Sequence, residues 1–186
     1  MKEVEKISDF DIIQRIVKGN EKHLFSVIYD RYAKLIYNRC YGFASTNSEA
    51  KDLTQDVFIK AYLKLGTFTE NISFKSWLYT LAYRFCVNYV NRNKEKKIEQ
   101  FSKEIDEVNE LDFTEDNEDI FSMEVERLKK SLDLISPENK MILLLKYQDD
   151  VSIKELALSL DIGESAVKMR LKRAKARLSE VYKTTV

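Results

Sequence analysis

Apolar side chains recur every three or four residues along most of this 186-residue chain, and this spacing predicts amphipathic helices. In the first half, the pattern predicts a helix after the capping residue Ser8 and three more over residues 20–44, 49–65 and 74–94. In the second half, it predicts helices over residues 120–134, after Ser136-Pro137, and twice within residues 152–178. Only four Gly and one Pro occur, and no β alternation is seen, so we predict an all-α fold.

Helical periodicity weakens between the two groups of helices, where acidic residues accumulate. Residues 104–119 contain nine acidic residues and no basic one, although the formal net charge of the chain is zero. A segment of this composition buries little apolar surface, which predicts a linker that is flexible at least in part. We therefore expect two small helical domains, residues 1–95 and 120–186, joined by an acidic linker of residues 96–119.

The stretch 152–178 has the pattern of a helix-turn-helix. Ser152 and Glu155 match a capping box at the start of its first helix, and Asp161-Ile162-Gly163 interrupts the pattern before a second helix begins near Glu164. The second helix has an apolar stripe of Val167, Leu171, Ala174 and Leu178. Away from that stripe lie Ser165, Lys168, Met169, Lys172 and Arg173. Six of the ten residues over 168–177 are basic. We predict that this helix enters the DNA major groove, and the alternative is a solvated basic helix on a bundle.

The predicted helix 49–65 is apolar on two sides. One side carries Leu53, Val57, Phe58, Ala61 and Leu65, which predict a core face. The other side carries Asp52, Gln55, Asp56, Ile59 and Leu63. Aliphatic residues on a face with acids and an amide favour docking on a partner, and the alternative is burial under the N-terminal helix.

The predicted helix 74–94 also has two faces. Its core face is predicted to contain Phe74, Leu78, Leu81, Ala82, Phe85 and Tyr89. Beside it runs a stripe of Trp77, Thr80, Arg84, Asn88 and Asn91. Aromatic rings can stack on unpaired bases, and Arg and Asn can hydrogen-bond base edges, so the stripe suits single-stranded nucleic acid. The alternative is that Trp77 belongs to the core.

Catalytic chemistry finds little support in the sequence. His23 is the only histidine, and the two cysteines, Cys40 and Cys86, show no metal-ligand spacing and fit buried, reduced thiols. We expect no catalytic residues, metal, cofactor or small-molecule substrate. No apolar run is long enough for a membrane span, and residues 1–8 are too charged for a signal peptide, so we expect a cytoplasmic protein without direct membrane insertion.

These stretches resemble conserved regions of bacterial RNA polymerase sigma factors. DLTQDVFIKAYLKLGTF followed by FKSWLYTLAYRFCVNYVNR resembles the second conserved region. SPENKMILLLKYQDDVSIKELALSLDIGESAVKMRLKRAKARL resembles the fourth. Having these two regions joined by a short linker is similar to the extracytoplasmic-function (ECF) class.

The resemblance implies three binding surfaces and three partners: core RNA polymerase through its β and β′ subunits, promoter DNA, and an anti-sigma factor. Core polymerase binding is implied for Asp52, Gln55, Asp56, Ile59, Lys60 and Leu63. Contact with the −10 promoter element is implied for Phe68, Trp77, Arg84, Asn88, Asn91 and Arg92. Contact with the −35 element is implied for Ser165, Lys168, Met169, Lys172 and Arg173.

Two points qualify the resemblance. The family usually has Gly at the turn of the helix-turn-helix, where Asp161 stands here, and we expect Asp to tolerate the positive φ that such a turn requires.

A dimeric helix-turn-helix regulator that acts without replacing a sigma factor is the alternative function.

Overall fold

The computed structural model describes the backbone of residues 7–101 and 120–185, and the side chains of residues 7–94 and 123–185. Over these residues the chain forms eight α-helices and no strand, which confirms the all-α prediction. The helices are α1 (Asp9–Val17), α2 (Phe25–Tyr41), α3 (Asn47–Lys64), α4 (Phe74–Phe101), α5 (Ile120–Leu134), α6 (Pro137–Leu143), α7 (Ile153–Leu160) and α8 (Glu164–Thr184). We call α1–α4 the N-terminal unit and α5–α8 the C-terminal unit.

Hydroxyl side chains begin four of these helices. Ser8, Thr46, Ser136 and Ser152 each accept a hydrogen bond from the backbone N–H three residues later, at 3.1–3.3 Å. Each such cap satisfies a donor that the helix leaves unpaired and stabilises the helix by about 1 kcal/mol. At α7 the Glu155 carboxylate also accepts from the Ser152 N–H at 3.2 Å, which completes the predicted capping box.

Three helix boundaries differ from the predictions. The helix predicted over residues 20–44 is a 3₁₀ turn (Lys22–Leu24) followed by α2. It starts after residue 20 because Asn20 takes φ 56°, which is not helical. The helix after Ser136 ends as a π-helical turn (Leu144–Gln148). The helix predicted to end near Lys94 continues to Phe101, because residues 95–101 are mostly good helix formers. The rest of the predicted linker, residues 102–119, lies outside the described residues.

The core of the N-terminal unit forms where α2, α3 and α4 pack together. The predicted core face of α3 is buried throughout. Both cysteines are fully buried and unbonded, as predicted, with their sulfur atoms 3.7 Å apart between α2 and α4. In the C-terminal unit, α6 and α7 pack on the apolar stripe of α8, where Val167, Leu171 and Ala174 are buried and Leu178 is half-buried.

Helix α4 is buried on more sides than the sequence indicates. It packs on α2 and α3 within its own unit and on α6 and α7 of the other. Tyr79, Tyr83, Cys86 and Val87 are therefore buried although the predicted core face omits them. Thr80, predicted in the polar stripe, is also buried and donates its hydroxyl hydrogen bond to the Ser76 carbonyl at 2.9 Å. No helix in the described part of the chain is both long enough and apolar enough to cross a membrane.

Candidate polymerase and nucleic-acid interfaces

The outward face of α3 combines exposed aliphatic and acidic side chains. Ile59 is 60% exposed and Leu63 is 76% exposed, so the N-terminal helix does not bury them. Asp52, Gln55 and Asp56 are exposed on the same helix and make no ion pair with another described residue. Large aliphatic side chains gain nothing from facing water, so this surface has the character of a docking face.

Lys60 marks the edge of this face. Its side chain is half-buried, and its Nζ lies 5.1 Å from the centre of the Phe85 ring on α4. That distance is within the range of a cation–π contact. The charge of Lys60 is therefore held beside the acidic face by a contact with the neighbouring helix.

Phe68 lies in an aromatic cluster rather than at the surface. It is 9% exposed, and its ring centre lies 5.4 Å from that of Phe74, 5.9 Å from that of Trp77 and 6.4 Å from that of Phe10. Trp77 is half-buried and stacks on Phe74 with ring centres 5.4 Å apart. Phe68 thus supports Trp77 from below, and Trp77 has the more accessible ring of the two.

The polar residues of the α4 stripe divide into two groups. Asn88 and Arg92 are exposed and make no hydrogen bond with another described side chain. Arg84 donates from Nη1 to the Ser159 carbonyl at 3.3 Å, and Asn91 donates from Nδ2 to a Glu138 carboxylate oxygen at 2.8 Å. Ser159 and Glu138 belong to the C-terminal unit, so this unit partly covers the stripe.

The outward face of α8 is open to solvent. Ser165, Lys168, Lys172 and Arg173 are all exposed, and Met169 is 49% exposed. The buried stripe on the other side of α8 orients this face, because residues three and four apart share one side of a helix. Three basic side chains, one hydroxyl and one thioether therefore project together, and such side chains can contact base edges in the major groove.

Asp161 shapes the turn between α7 and α8. It takes the left-handed conformation, φ 55° and ψ 50°, which confirms that Asp adopts the positive φ expected at this turn. The N–H of Ile162 donates to the Ala157 carbonyl at 3.0 Å, and the N–H of Asp161 points to the Leu158 carbonyl at 3.4 Å. This pair of bonds is a Schellman motif, so the turn keeps the usual helix-ending geometry without Gly.

The structure adds one feature that sequence reasoning missed. Between α5 and α8 lies an open cavity of about 570 Å³, with Val125, Leu128, Leu178 and Tyr182 among its lining residues. The signal in the sequence was the pair Val125 and Leu128, which lie three residues apart on one side of α5 and are both exposed. Within the described residues, no cluster of His, Cys, Asp or Glu could hold a metal ion.

Comparisons with known proteins match both halves of the chain. The family models described as Sigma-70 region 2 and Sigma-70, region 4 match residues 28–96 and 126–178. The ECF RNA polymerase sigma factor SigW of Bacillus subtilis is 28% identical over 174 residues, 87% of this chain and 90% of that protein. The ECF RNA polymerase sigma-E factor of Escherichia coli is 25% identical over 185 residues, 92% of each protein.

Two solved structures share the fold. The sigma factor RpoE from Bartonella quintana, in complex with the anti-sigma factor NepR, has a TM-score of 0.61 at 21% identity, covering 86% of this chain and 96% of that one. CnrH in complex with the cytosolic domain of CnrY also has a TM-score of 0.61, at 17% identity, covering 93% of this chain and 96% of that one. Both conserved regions are present in the expected order, and the chain belongs to the ECF class of RNA polymerase sigma factors.

Proposed function

We propose that this sigma factor directs promoter-specific initiation of transcription and uses three surfaces to bind its partners. The outward face of α3 binds core RNA polymerase, the stripe on α4 binds the −10 element, and the outward face of α8 binds the −35 element. The corresponding domains are residues 1–95 and 120–186, joined by residues 96–119. Each contact on its own is weak, and tethering them across one promoter multiplies their affinities.

The exposure of Ile59 and Leu63 beside Asp52 and Asp56 carries the proposal most directly. An apolar face with acidic residues would not contribute to binding duplex DNA, because acidic residues repel phosphates. A protein partner fits this face, since apolar anchors inside a polar rim are typical of protein–protein interfaces. Gln55 and Lys60 complete the proposed polymerase contact.

On α4, the proposed role is to capture a base as the −10 element opens. Trp77 presents a half-buried ring of the aromatic cluster, while Arg84, Asn88, Asn91 and Arg92 supply hydrogen-bond donors along the same helix. Stacking one base on an aromatic ring is worth about 1–3 kcal/mol, which offsets a large part of the cost of unstacking it. Phe68 contributes through the support it gives Trp77.

On α8, the proposed role is to read the −35 element in the major groove. Lys168, Lys172 and Arg173 can donate to guanine or to phosphates, and Ser165 can donate or accept. Met169 has no donor and instead offers an apolar contact to a thymine methyl group. The preferred −35 sequence will therefore include a position that is read by shape and apolar contact.

The remaining parts of the proposal concern chemistry and regulation. The protein supplies no catalytic group, because polymerase carries out the bond-forming step. The sigma factor works with that enzyme in the cytoplasm. An anti-sigma factor is the proposed inhibitor. Its support is that RpoE and CnrH, which share this fold, were solved in complexes with NepR and with the cytosolic domain of CnrY.

In vitro transcription with core polymerase and a promoter library tests the function. We expect enrichment of one −10/−35 pair in transcripts that depend on this protein, and no enrichment would refute the proposal. A gel shift with and without core polymerase separates the alternative. A dimeric regulator would bind a palindromic duplex tightly without polymerase, whereas a sigma factor needs core enzyme.

A further inference from the structure

Two ring contacts link Tyr32 on α2 to Trp77 on α4. The ring of Tyr32 meets that of Phe74 edge to face, with ring centres 5.6 Å apart. Phe74 in turn stacks on Trp77, with ring centres 5.4 Å apart and ring planes inclined by 26°. Tyr32 and Phe74 are buried, whereas Trp77 is half-buried. Because buried side chains are packed as closely as molecules in a crystal, the orientation of Tyr32 constrains the ring on which Trp77 packs.

A polar network ties the hydroxyl end of Tyr32 to α1. The hydroxyl donates to the Asp9 Oδ2 at 2.5 Å, and the Arg31 Nη1 donates to the Asp9 Oδ1 at 2.6 Å. The Arg31 Nη2 also donates to the Ile7 carbonyl at 2.9 Å. A hydrogen bond to a carboxylate that carries charge is stronger than one between neutral groups, so Asp9 holds the hydroxyl firmly. Because the hydroxyl and the ring of a tyrosine move as one rigid body, Asp9 also holds the ring that contacts Phe74.

The Tyr32 hydroxyl is not needed to fill the core. A Phe side chain would occupy the same space and would bury no polar group that requires a partner. Burial and the hydrogen bond to Asp9 raise the pKa of Tyr32 above its usual value, so the hydroxyl keeps its proton and remains a donor. A fully satisfied polar network inside a core restricts its members to one arrangement. The hydroxyl therefore fixes the orientation of the Tyr32 ring.

A second set of ring contacts joins α1 to Trp77. Phe10 follows Asp9 in α1, and its ring centre lies 6.4 Å from that of Phe68. The Phe68 ring meets the Trp77 ring edge to face, with ring centres 5.9 Å apart. Tilted and edge-to-face ring pairs at such distances are favourable. The same turn of α1 that holds Tyr32 therefore also supports Trp77 through a second buried ring.

We propose that Tyr32, held by Asp9, is a positioning residue that orients Trp77 for stacking on an unpaired base of the −10 element. The inference rests on the proposed function of the α4 stripe. Tyr32 is buried and does not touch the base, so it acts through Phe74. A ring that is already held in its binding orientation loses little freedom when a base stacks on it, and more of the stacking free energy then contributes to binding. Loosening Tyr32 should therefore slow promoter opening without affecting the contacts that α8 makes.

The test uses Trp77 itself as the probe, because it is the only tryptophan of the chain. Full-length Tyr32→Phe is compared with the unchanged protein, since Phe keeps the ring and removes the hydroxyl that Asp9 holds. We expect the fluorescence anisotropy decay of the free protein to show wider motion of the Trp77 ring. In holoenzyme, we expect the rate of promoter opening to fall about fivefold, because stacking of one base provides roughly 5- to 150-fold in affinity. The affinity for promoter DNA before opening should stay the same.

Asp9→Asn changes the other end of the hydrogen bond at a partly exposed position, so it decides the question if Tyr32→Phe does not fold. Asn keeps the size of the side chain and removes the charge that strengthens the bond, so Trp77 motion and promoter opening should change in the same directions. Combining it with Tyr32→Phe should have a smaller effect than the product of the two single effects, because both changes act on one contact. Arg15→Gln is the control: it breaks the ion pair that Arg15 of the same helix makes with Glu21, with side chains 44% and 34% exposed, and should change neither measurement.

Unchanged motion of Trp77 in Tyr32→Phe overturns the inference. An equal loss of opening rate and of affinity before opening also overturns it, since that would be a general effect on the fold. A lower unfolding temperature with both measurements unchanged would assign Tyr32 to stability alone and would overturn it too. Wider motion of Trp77 without any enrichment in the promoter-library experiment would refute the proposed function, whereas enrichment with unchanged motion would refute this inference alone.

Discussion

Val57 and Ile59 lie two residues apart on α3 and face opposite environments: Val57 is fully buried and Ile59 is 60% exposed. Two residues of a helix are separated by about 200° around its axis, so a side chain two positions from the core must point away from it. Both are β-branched aliphatic residues, and nothing in their chemistry distinguishes them. Val57 therefore contributes to the stability of the fold, whereas Ile59 is available for the proposed docking on a partner.

Truncating each of the two side chains should give opposite results. Val57→Ala leaves a cavity in the core and should lower the free energy of unfolding by about 2 kcal/mol. Ile59→Ala should change it by less than about 0.5 kcal/mol, yet weaken core polymerase binding about tenfold, as loss of an apolar anchor does. Urea unfolding and a fluorescence binding assay measure the two effects. Equal polymerase affinity for Ile59→Ala and the unchanged protein would refute the docking role.

Reversing the charge of Asp56 should weaken polymerase binding without unfolding the protein. Asp56 is exposed and makes no ion pair with a described residue, so Asp56→Arg breaks no internal contact. We expect at least about tenfold weaker holoenzyme assembly, because like charges across an interface repel. Asp30→Arg makes the same change on the exposed side of α2 and serves as the control. A fully active Asp56→Arg holoenzyme would show that the interface is assigned wrongly.

Asn88→Ala should slow promoter opening and leave stability unchanged. Asn88 is exposed on α4, so its removal costs the fold less than about 0.5 kcal/mol. Losing one hydrogen-bonding amide at a base edge should reduce the rate of open-complex formation about tenfold. Stopped-flow fluorescence of holoenzyme on a labelled promoter measures this rate. Asn38→Ala, an exposed position on α2, is the matched control, and equal rates for the two variants would contradict the assignment.

Two exposed positions on α8 should have different effects on DNA binding. Arg170 flanks the reading face, so Arg170→Ala should weaken binding for all sequences and reduce the slope of log K against log salt by about 1. Met169→Ala should keep that slope and relax the preference at one base pair of the −35 element. Anisotropy titrations of holoenzyme over a salt series, on promoters varied at each −35 position, distinguish the two. A changed salt slope for Met169→Ala would be inconsistent with an apolar contact.

Substitutions at Asp161 should change the free energy of unfolding according to how well the new residue adopts positive φ. Ala lacks a polar side chain that favours φ 55°, so Asp161→Ala should lower the free energy of unfolding by about 1 kcal/mol. Asp161→Gly should be neutral or stabilising, because Gly adopts positive φ without a steric penalty. Thermal unfolding of both variants checks the order. A more stable Ala variant would mean that the turn changes conformation on substitution.

The features that depend on neighbouring residues in the chain could be predicted from the sequence. The capping box at Ser152, the core stripe of α8 and the outward position of Ile59 all follow from spacing along one helix. The family and its two conserved regions were also recognisable, because their motifs are continuous in the chain.

The burial of Tyr79, Tyr83 and Val87 could not be predicted in the same way. These residues are covered by elements distant in the sequence, and their own periodicity does not identify those elements. The same reason applies to Phe68, whose place in the aromatic cluster depends on Phe10 in α1 and on α4. Arg39 and Asp149 form an ion pair although they are 110 residues apart, and each would be assigned to a solvated surface on composition alone.

The fully buried cysteines give the protein an internal chemical reporter. A thiol reacts with alkylating reagents as the exposed thiolate, so Cys40 and Cys86 are protected while α2 and α4 stay packed. The chain contains no other cysteine. The rate of alkylation therefore measures how often the N-terminal unit opens, without any substitution in the sequence.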